Sequence, residues 1–364
     1  MPSIDVELGE NSYPIIVDYH ILNRVGELLK AKAKSSKVIV IADTFVSKHY
    51  GEIVSDSLSD AGFDSRIVDV PPGDEQKSME WFARLHDGLV DHRMDRVSTL
   101  ITFGGGVVGD LGGFVAATYM RGIDYAQIPT TLLAQVDASV GGKTAINHAK
   151  GKNLIGAFYQ PKFVLIDVAL LQTLPRRDIR AGLIEVIKHG VIMDAPLFDQ
   201  IEANLDAILN LERAILIDVI SRSCEDKAKI VANDERESGV RETLNYGHTF
   251  GHALEALTGY NTYRHGEAVA IGMNCATQLA INLGMMDSAD GTRQRKLLKR
   301  AELPVHFPPQ ISPEKLIKKM YLDKKTKRER LRLILPVRIG EVVLREDVQQ
   351  SRVAEAISQC MQRG

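Results

Sequence analysis

His248 and His252 lie four residues apart in Asn245-Tyr-Gly-His-Thr-Phe-Gly-His252, with His265-Gly-Glu267 following and Glu185-Val-Ile-Lys188 about sixty residues before Asn245. In a helix, positions four apart share a face, so the two imidazoles project the same way and a separate segment can bring His265 against them. Two imidazoles and one carboxylate make a first shell for a divalent metal that keeps one coordination position open for substrate. That is the chemistry of a catalytic ion, and Glu255 and Glu267 thicken the setting. A lone His-x-x-x-His would more often be a solvated helix face.

A second group is glycine-rich. Gly104-Gly-Gly-Val-Val-Gly109-Asp110 follows an apolar run ending at Phe103 and satisfies G-x-G-x-x-G through Gly104, Gly106 and Gly109. Glycines there let a pyrophosphate approach backbone at a helix amino end. In the usual dinucleotide fold this loop follows the first strand, with an acidic residue about 20 positions on. Here Asp43 closes an earlier strand and is placed to bind adenosine hydroxyls, so the expected nicotinamide-nucleotide site has unusual wiring.

The third group is cationic: Arg121, Lys143, Lys152, Lys188, Lys227, Arg241 and Lys324, several set among glycine and apolar residues. Gly141-Gly142-Lys143-Thr144 imitates the end of a phosphate loop, but the first glycine of the full pattern would fall at Val136-Asp137, so an ATPase reading fails. Convergent cations suit a substrate bearing phosphate and carboxylate.

Elements must hold these groups in place. Before residue 175, apolar runs Lys37–Asp43, Ser65–Val70, Val97–Phe103, Tyr125–Ile128 and Phe163–Asp167 are expected as strands, with helices between several of them at 18–34, 46–61 and 79–92. Continuous apolar runs separated by helices imply a parallel sheet covered on both faces. Beyond Leu174-Pro175 the periodicity is almost wholly helical, at 179–190, 196–210, 212–232, 246–258 and 266–283. The expected fold class is α/β: a Rossmann-like parallel-sheet domain over 1–175 binding the nucleotide, then a mostly α-helical metal- and substrate-binding domain over 176–364.

Composition agrees with an ordinary globular protein of about two domains: 364 residues, 45% hydrophobic, 25% charged. A formal charge of −2 offers no broad excess to drive nucleic-acid or anionic-membrane binding. Three separated cysteines, Cys224, Cys275 and Cys360, suggest reduced thiols and a cytoplasmic location. The amino terminus lacks the basic and apolar regions of a secretory signal, and glycines with Asp110 interrupt the least charged stretch, so no membrane span is expected.

Taken together, Gly-Gly-Gly-Val-Val-Gly-Asp-Leu, Pro129-Thr-Thr-Leu-Leu-Ala-Gln-Val-Asp137, Gly-Gly-Lys-Thr, Gly-Lys-Asn-Leu-Ile-Gly, Glu-Val-Ile-Lys, Leu-Asn-Tyr-Gly-His-Thr-Phe-Gly-His and His-Gly-Glu resemble the 3-dehydroquinate synthases, of the sugar-phosphate cyclase family. The motifs run in order from about residue 40 to 340. The resemblance implies a soluble homodimeric lyase of the shikimate pathway, using NAD and Zn2+ or Co2+ on 3-deoxy-D-arabino-heptulosonate 7-phosphate. It implies transient oxidation at C5, β-elimination of phosphate, return of the hydride, ring opening and an aldol closure.

Residue by residue, the resemblance implies Glu185, His248 and His265 as metal ligands, and His252, Lys143, Lys188 and Glu237 as catalytic. It places Lys143, Lys152, Asn153, His252 and Lys324 near the phosphate, Lys324 being uncertain against Lys325 by one position, and Arg121 as donated by the neighbouring subunit. Lys188, Lys227, Arg241 and Asn245 would fix the carboxylate and ring hydroxyls. Asp43, Asp74, Lys77, Gly105, Gly106, Val107, Asp110, Thr130, Thr131, Asp137, Lys143 and Lys152 fall on the cofactor side. Asp74 departs from the pattern, which more often has Glu there. A metal-dependent polyol dehydrogenase would need fewer cations, and a cyclase of valiolone or inosose type should lack the Lys227, Arg241, Asn245 and His252 group.

Overall fold

The computed structural model describes residues 3–323 and 331–362. They divide into two compact units, residues 1–174 with 216–236, and residues 175–215 with 237–364.

In the first unit the strands are β1 (Ser3–Val6), β2 (Tyr13–Asp18), β3 (Lys37–Asp43), β4 (Asp64–Val70), β5 (Thr99–Gly104), β6 (Asp124–Pro129), β7 (Lys143–His148), β8 (Gly151–Phe158) and β9 (Val164–Asp167). The helices are α1 (Val25–Lys30), α2 (Thr44–Asp60), α3 (Met79–Asp91) and α4 (Gly106–Thr118). Seven strands make one sheet in the order β4-β3-β5-β6-β9-β2-β1. All neighbours pair in parallel except β1, which runs antiparallel on β2. The parallel covered sheet expected from the apolar runs is present, Lys37–Asp43 with the expected bounds and the other runs with bounds shifted by at most two residues.

Burial explains the strand positions. Interior β3 is Val-Ile-Val-Ile-Ala between Lys37 and Asp43 and is buried on both faces, whereas edge β4 is exposed or half-buried at every residue but Val70. Val38, Val40 and Ala42 enter one core with Ile101 and Phe103; Ile39 and Ile41 enter the opposite one with Leu100 and Leu111. Such two-faced burial fits strands under helices on both sides. The antiparallel edge was not foreseen, because Ser3–Val6 is only four residues long and alternates in burial.

The hairpin β7–β8, also unforeseen, packs on α4. A β-carbon on Gly113 would fall 2.5 Å from Thr144 Cγ2, so helix and hairpin meet only because that residue is glycine.

Helices α5 (Arg176–Ile192), α6 (Ala195–Ala203), α7 (Leu205–Leu209), α8 (Arg213–Asn233), α9 (His248–Leu257), α10 (His265–Asn282), α11 (Ser288–Arg300), α12 (Pro313–Asp323) and α13 (Gln350–Gln359) follow. From Leu216, α8 belongs to the first unit, so the expected single division near 175 is crossed again and the chain returns at residue 237. The reason is local. Cys224 Sγ donates to Gln135 O at 3.3 Å and Lys227 reaches Asp137, both in the first unit.

The second unit is not wholly helical either. Strands β10 (Leu333–Arg338) and β11 (Glu341–Arg345) form an antiparallel hairpin, turning at Gly340 with φ 94°. The expected 196–210 helix is two helices, α6 and α7, broken at Asn204.

Candidate active site

The sheet order accounts for the glycine loop following the wrong strand. Leaving aside β1 and β2, the remaining parallel strands in chain order, β3, β4, β5, β6 and β9, lie in the pattern 2-1-3-4-5, whose crevice opens between the first and third strands. Those are β3 and β5. Asp43 ends β3 and Gly104 ends β5, and a β-carbon on Gly104 would lie 3.2 Å from Asp43 Cβ. The acidic residue and the loop therefore meet at the switch point, although sixty residues separate them.

Gly105 caps α4, whose first residue is Gly106. Added β-carbons would lie 3.2 Å from Thr131 Cγ2 at Gly105 and 3.2 Å from Ala138 Cβ at Gly106, so side chains here would crowd the loop floor. Thr130 N donates to Gly104 O at 3.0 Å, and Thr131 Oγ1 accepts from Ala134 N at 3.1 Å. Val107 is half-buried in the first turn of α4. Free amides at that turn form an anion site. Asp43 has a structural duty as well, accepting from Phe45 N at 2.8 Å as the cap of α2.

Beside the loop runs a polar network. Lys77, only 5% exposed, donates to Asp110 Oδ2 and Asn153 Oδ1, each at 2.5 Å. Burial pushes the Asp110 carboxyl above its ordinary value, with Lys77 opposing and Asp137 and Asp74 adding to the rise. Lys152 pairs with Asp74 Oδ2 at 3.0 Å. Asn147 joins the parts, donating to Asp74 Oδ2 at 3.1 Å and accepting from Asn153 N at 3.0 Å. Sequence reading missed Asn147; its only signal is its place between two glycine-lysine motifs. The shorter Asp74 still reaches Lys152, so the departure from Glu leaves the network closed.

Lys227, on the returned part of α8, donates to Asp137 O at 2.5 Å and Oδ1 at 2.6 Å. Asp137 sits in a wide π turn, Ala134–Ala138, a distortion found mostly at functional sites. Lys143 is exposed at the first residue of β7. Arg121 is exposed in the turn closing α4, where Met120, Arg121 and Gly122 have φ of 47°, 71° and 118°.

In the second unit, α5 is buried along most of its length. Glu185 and Lys188, one turn apart, are 0% and 1% exposed and form an ion pair. The other carboxylate oxygen, Glu185 Oε1, is buried without a hydrogen bond and lies 3.7 Å from His248 Nε2. That gap is too long for a hydrogen bond. It matches two ligands of one ion, since ligand bonds of about 2.1 Å at tetrahedral angles set their atoms roughly 3.4 Å apart.

His248 opens α9 after Gly247, whose φ is 80°. Its Nδ1 lies 3.1 Å from Tyr246 O, which leaves Nε2 to bind an ion. Burial, then Lys188, His265 and His252, hold its pKa well below the ordinary imidazole value, so the ring is neutral and its lone pair available. A β-carbon on Gly272 of α10 would sit 2.0 Å from Gly247 O. Backbone-to-backbone approach of α9 and α10 is what brings the three histidines together, with ring centroids 5.3 Å apart for His248–His252, 5.2 Å for His248–His265 and 5.7 Å for His252–His265. Ligand atoms of all three lie within 4.8 Å of one another, so the geometry gathers an imidazole trio with Glu185 beside His248. Donors of N and O type fit a zinc or cobalt ion.

His265 Nδ1 lies 3.1 Å from Glu255 Oε2. Glu267 has a different duty: it accepts from Arg264 N at 2.9 Å and from Arg177 at 2.6 and 2.7 Å, capping α10 and tying it to α5. Arg241, 1% exposed, and Asn245 share one short helical turn, and Asn245 Nδ2 donates to Glu237 Oε1 at 3.0 Å. Lys324 and Lys325 lie outside the described residues. A cavity of about 360 Å³ lined by Leu257, Thr258, Thr262, Gln310, Ile311 and Lys315 contains none of these groups.

Comparison with known proteins gives the family. Residues 67–181 match the family model described as 3-dehydroquinate synthase N-terminal, and residues 182–326 the one described as 3-dehydroquinate synthase C-terminal. A 3-dehydroquinate synthase of Desulforamulus reducens is 49% identical over 359 residues, 99% of this chain and 100% of its own. A 2-epi-5-epi-valiolone synthase of Streptomyces hygroscopicus subsp. jinggangensis, solved with NAD+ and Zn2+ bound, superposes with TM-score 0.88 at 26% identity, covering 97% of this chain and 98% of that one. A 2-deoxy-scyllo-inosose synthase complexed with carbaglucose-6-phosphate, NAD+ and Co2+ shares the fold, with TM-score 0.88 at 24% identity over 99% and 100%.

Proposed function

The chain belongs to the 3-dehydroquinate synthase family, and on that premise we propose how its residues divide the reaction. It converts 3-deoxy-D-arabino-heptulosonate 7-phosphate to 3-dehydroquinate and phosphate, as a carbon-oxygen lyase dependent on NAD and a divalent metal. NAD, when bound, supplies a reversible hydride acceptor for C5, and zinc or cobalt supplies a Lewis acid for the oxygen at that carbon.

Glu185, His248 and His265 hold the ion; the buried, unbonded Glu185 Oε1 at 3.7 Å from His248 Nε2 carries this reading. His252, beside the ligands, serves the phosphate or relays a proton, tasks suited to an imidazole near neutral pH. Lys143, Lys152 and Asn153 bind phosphate, with Lys324 assigned by motif alone. Lys188, Lys227, Arg241 and Asn245 orient carboxylate and ring hydroxyls, and Glu237 holds the Asn245 amide. Asp43, Asp74, Lys77, Gly105, Gly106, Val107, Asp110, Thr130, Thr131 and Asp137 form the cofactor side, supported by the glycine loop at the switch point.

A phosphorylated sugar acid supplies two anionic groups, which suits the cations gathered by these motifs. We assign a homodimer in which Arg121 enters the partner's site. Exposed Met120 beside Arg121, and exposed Leu154 and Phe158 on β8, support that surface. Three buried free thiols support a cytoplasmic location, and no helix among the described residues is long and apolar enough to cross a membrane.

The test is incubation with the heptulosonate phosphate, trace NAD and zinc or cobalt, following phosphate and NADH together. One phosphate is released per substrate with no NADH accumulating. NADH build-up without phosphate would instead mean a dehydrogenase.

A further inference from the structure

Glu255 lies one turn beyond His252 on α9, is 5% exposed, and has no place among the ligands or substrate groups assigned above. Its Oε2 meets His265 Nδ1 at 3.1 Å. We propose that Glu255 is a positioning residue for the metal centre, accepting a hydrogen bond from His265 Nδ1–H so that this ring presents its Nε2 lone pair to the ion. The inference rests on the metal reading given above and deepens it.

His265 is the first residue of α10, entered from the loop over 258–264, and its side chain is 31% exposed. A half-exposed imidazole at a helix start interconverts between two tautomers and several orientations, and only one combination binds a metal through Nε2. His248 has the equivalent problem solved by backbone, since its Nδ1 faces Tyr246 O at 3.1 Å. His265 has a buried carboxylate instead, on the neighbouring helix. A carboxylate–histidine–metal arrangement fixes ring and tautomer together and raises ligand basicity, and losing it weakens metal binding roughly 10- to 100-fold.

A purely structural alternative is that Glu255 merely pins the start of α10 to α9. Glu267 provides the control, because it also secures that helix start, through Arg264 and Arg177, without touching a histidine.

The experiment compares Glu255→Ala, Glu255→Gln, Glu267→Gln and His265→Ala with the wild-type chain. Zn2+ and Co2+ affinities are titrated against a chelator, the visible bands of the Co2+ protein recorded, and 15N shifts of His265 measured without metal. Glu255→Ala raises the Zn2+ dissociation constant about 10- to 100-fold, shifts the Co2+ bands and leaves His265 as a tautomer mixture. Glu255→Gln, which keeps an acceptor but no charge, falls between; should Glu255→Ala fail to fold, this isosteric variant decides. Glu267→Gln keeps wild-type affinity and His265 shifts.

Wild-type Zn2+ affinity and a single His265 tautomer in both Glu255 variants would overturn the positioning role, as would an equal loss in Glu267→Gln. Full metal retention in His265→Ala would overturn the ligand assignment itself, a separate result.

Discussion

Replace Gly266 by alanine and the new β-carbon falls 1.8 Å from the carbonyl oxygen of Ala181, 2.6 Å from its carbon and 2.9 Å from its Cα. All three atoms are backbone of α5, so no side chain can turn aside. Carbon–oxygen contacts settle near 3.3 Å, which means α5 and α10 must part by about 1.5 Å. Glu185 stands one turn beyond Ala181 on α5, and His265 adjoins Gly266 on α10. Ligand distances tolerate only about 0.2 Å, so separating the two helices opens the metal site several times beyond that margin. The Zn2+ dissociation constant should rise at least about 100-fold, equivalent to roughly 2.7 kcal/mol. Overpacking adds a cost of about 1–3 kcal/mol to the metal-free fold, a fall in Tm of roughly 2–12 °C for a unit of this size. Chelator competition reads the first quantity and calorimetry of the metal-free protein the second. Gly88→Ala is the control, because a β-carbon there meets nothing within 4 Å. A Gly266→Ala protein with wild-type affinity and Tm would refute the claim that this backbone contact sets the distance between the ligands.

Three further outcomes follow from the same geometry. His248→Ala should abolish metal retention by elemental analysis, whereas His252→Ala should keep the ion and slow turnover; the reverse pattern means the ligand set is wrong. Asp43→Asn keeps a cap equal to aspartate, so Tm should hold while NAD affinity measured by calorimetry falls about tenfold, as expected for about 1.4 kcal/mol from one charged hydrogen bond; unchanged NAD affinity would leave Asp43 as a cap alone. Glu267 is raised by burial but lowered more by Arg177 and Arg264, and its pKa lies below the ordinary glutamate value. A depressed carboxylate contributes stability above the unfolded pKa, about 4.3, and loses it as pH falls through the lower folded value. Tm measured against pH should therefore show a shallower acid limb in Glu267→Gln, and identical limbs would remove Glu267 from the linkage.

Much of this was legible in local pattern. Val-Ile-Val-Ile-Ala before Asp43 is β-branched at four of five positions and reads as a strand buried on both faces, which it is. The four-residue spacing of His248 and His252 placed both rings on one face of α9, where His265 meets them. Other features depend on partners distant in sequence. Asp43 beside Gly104 follows from strand order, which periodicity does not encode. Asn147 carries no motif of its own and acts only by joining Asp74 to Asn153. The β10–β11 hairpin was hidden because Leu333-Ile-Leu is a short apolar run that helix and strand share. The 216–236 stretch reads as an ordinary amphipathic helix, and nothing within it says which core it will join.

That stretch has a consequence for biogenesis. Because Leu216–Arg236 belongs with residues 1–174, the first unit is not a contiguous piece of polypeptide. A ribosome that has released residue 174 has not yet delivered the helix carrying Cys224 and Lys227, and Asp137 waits for its lysine until some fifty more residues have emerged. At about 5–20 residues per second, the nascent amino-terminal half spends several seconds unable to finish folding. A gene cut at the apparent boundary would leave that half incomplete permanently.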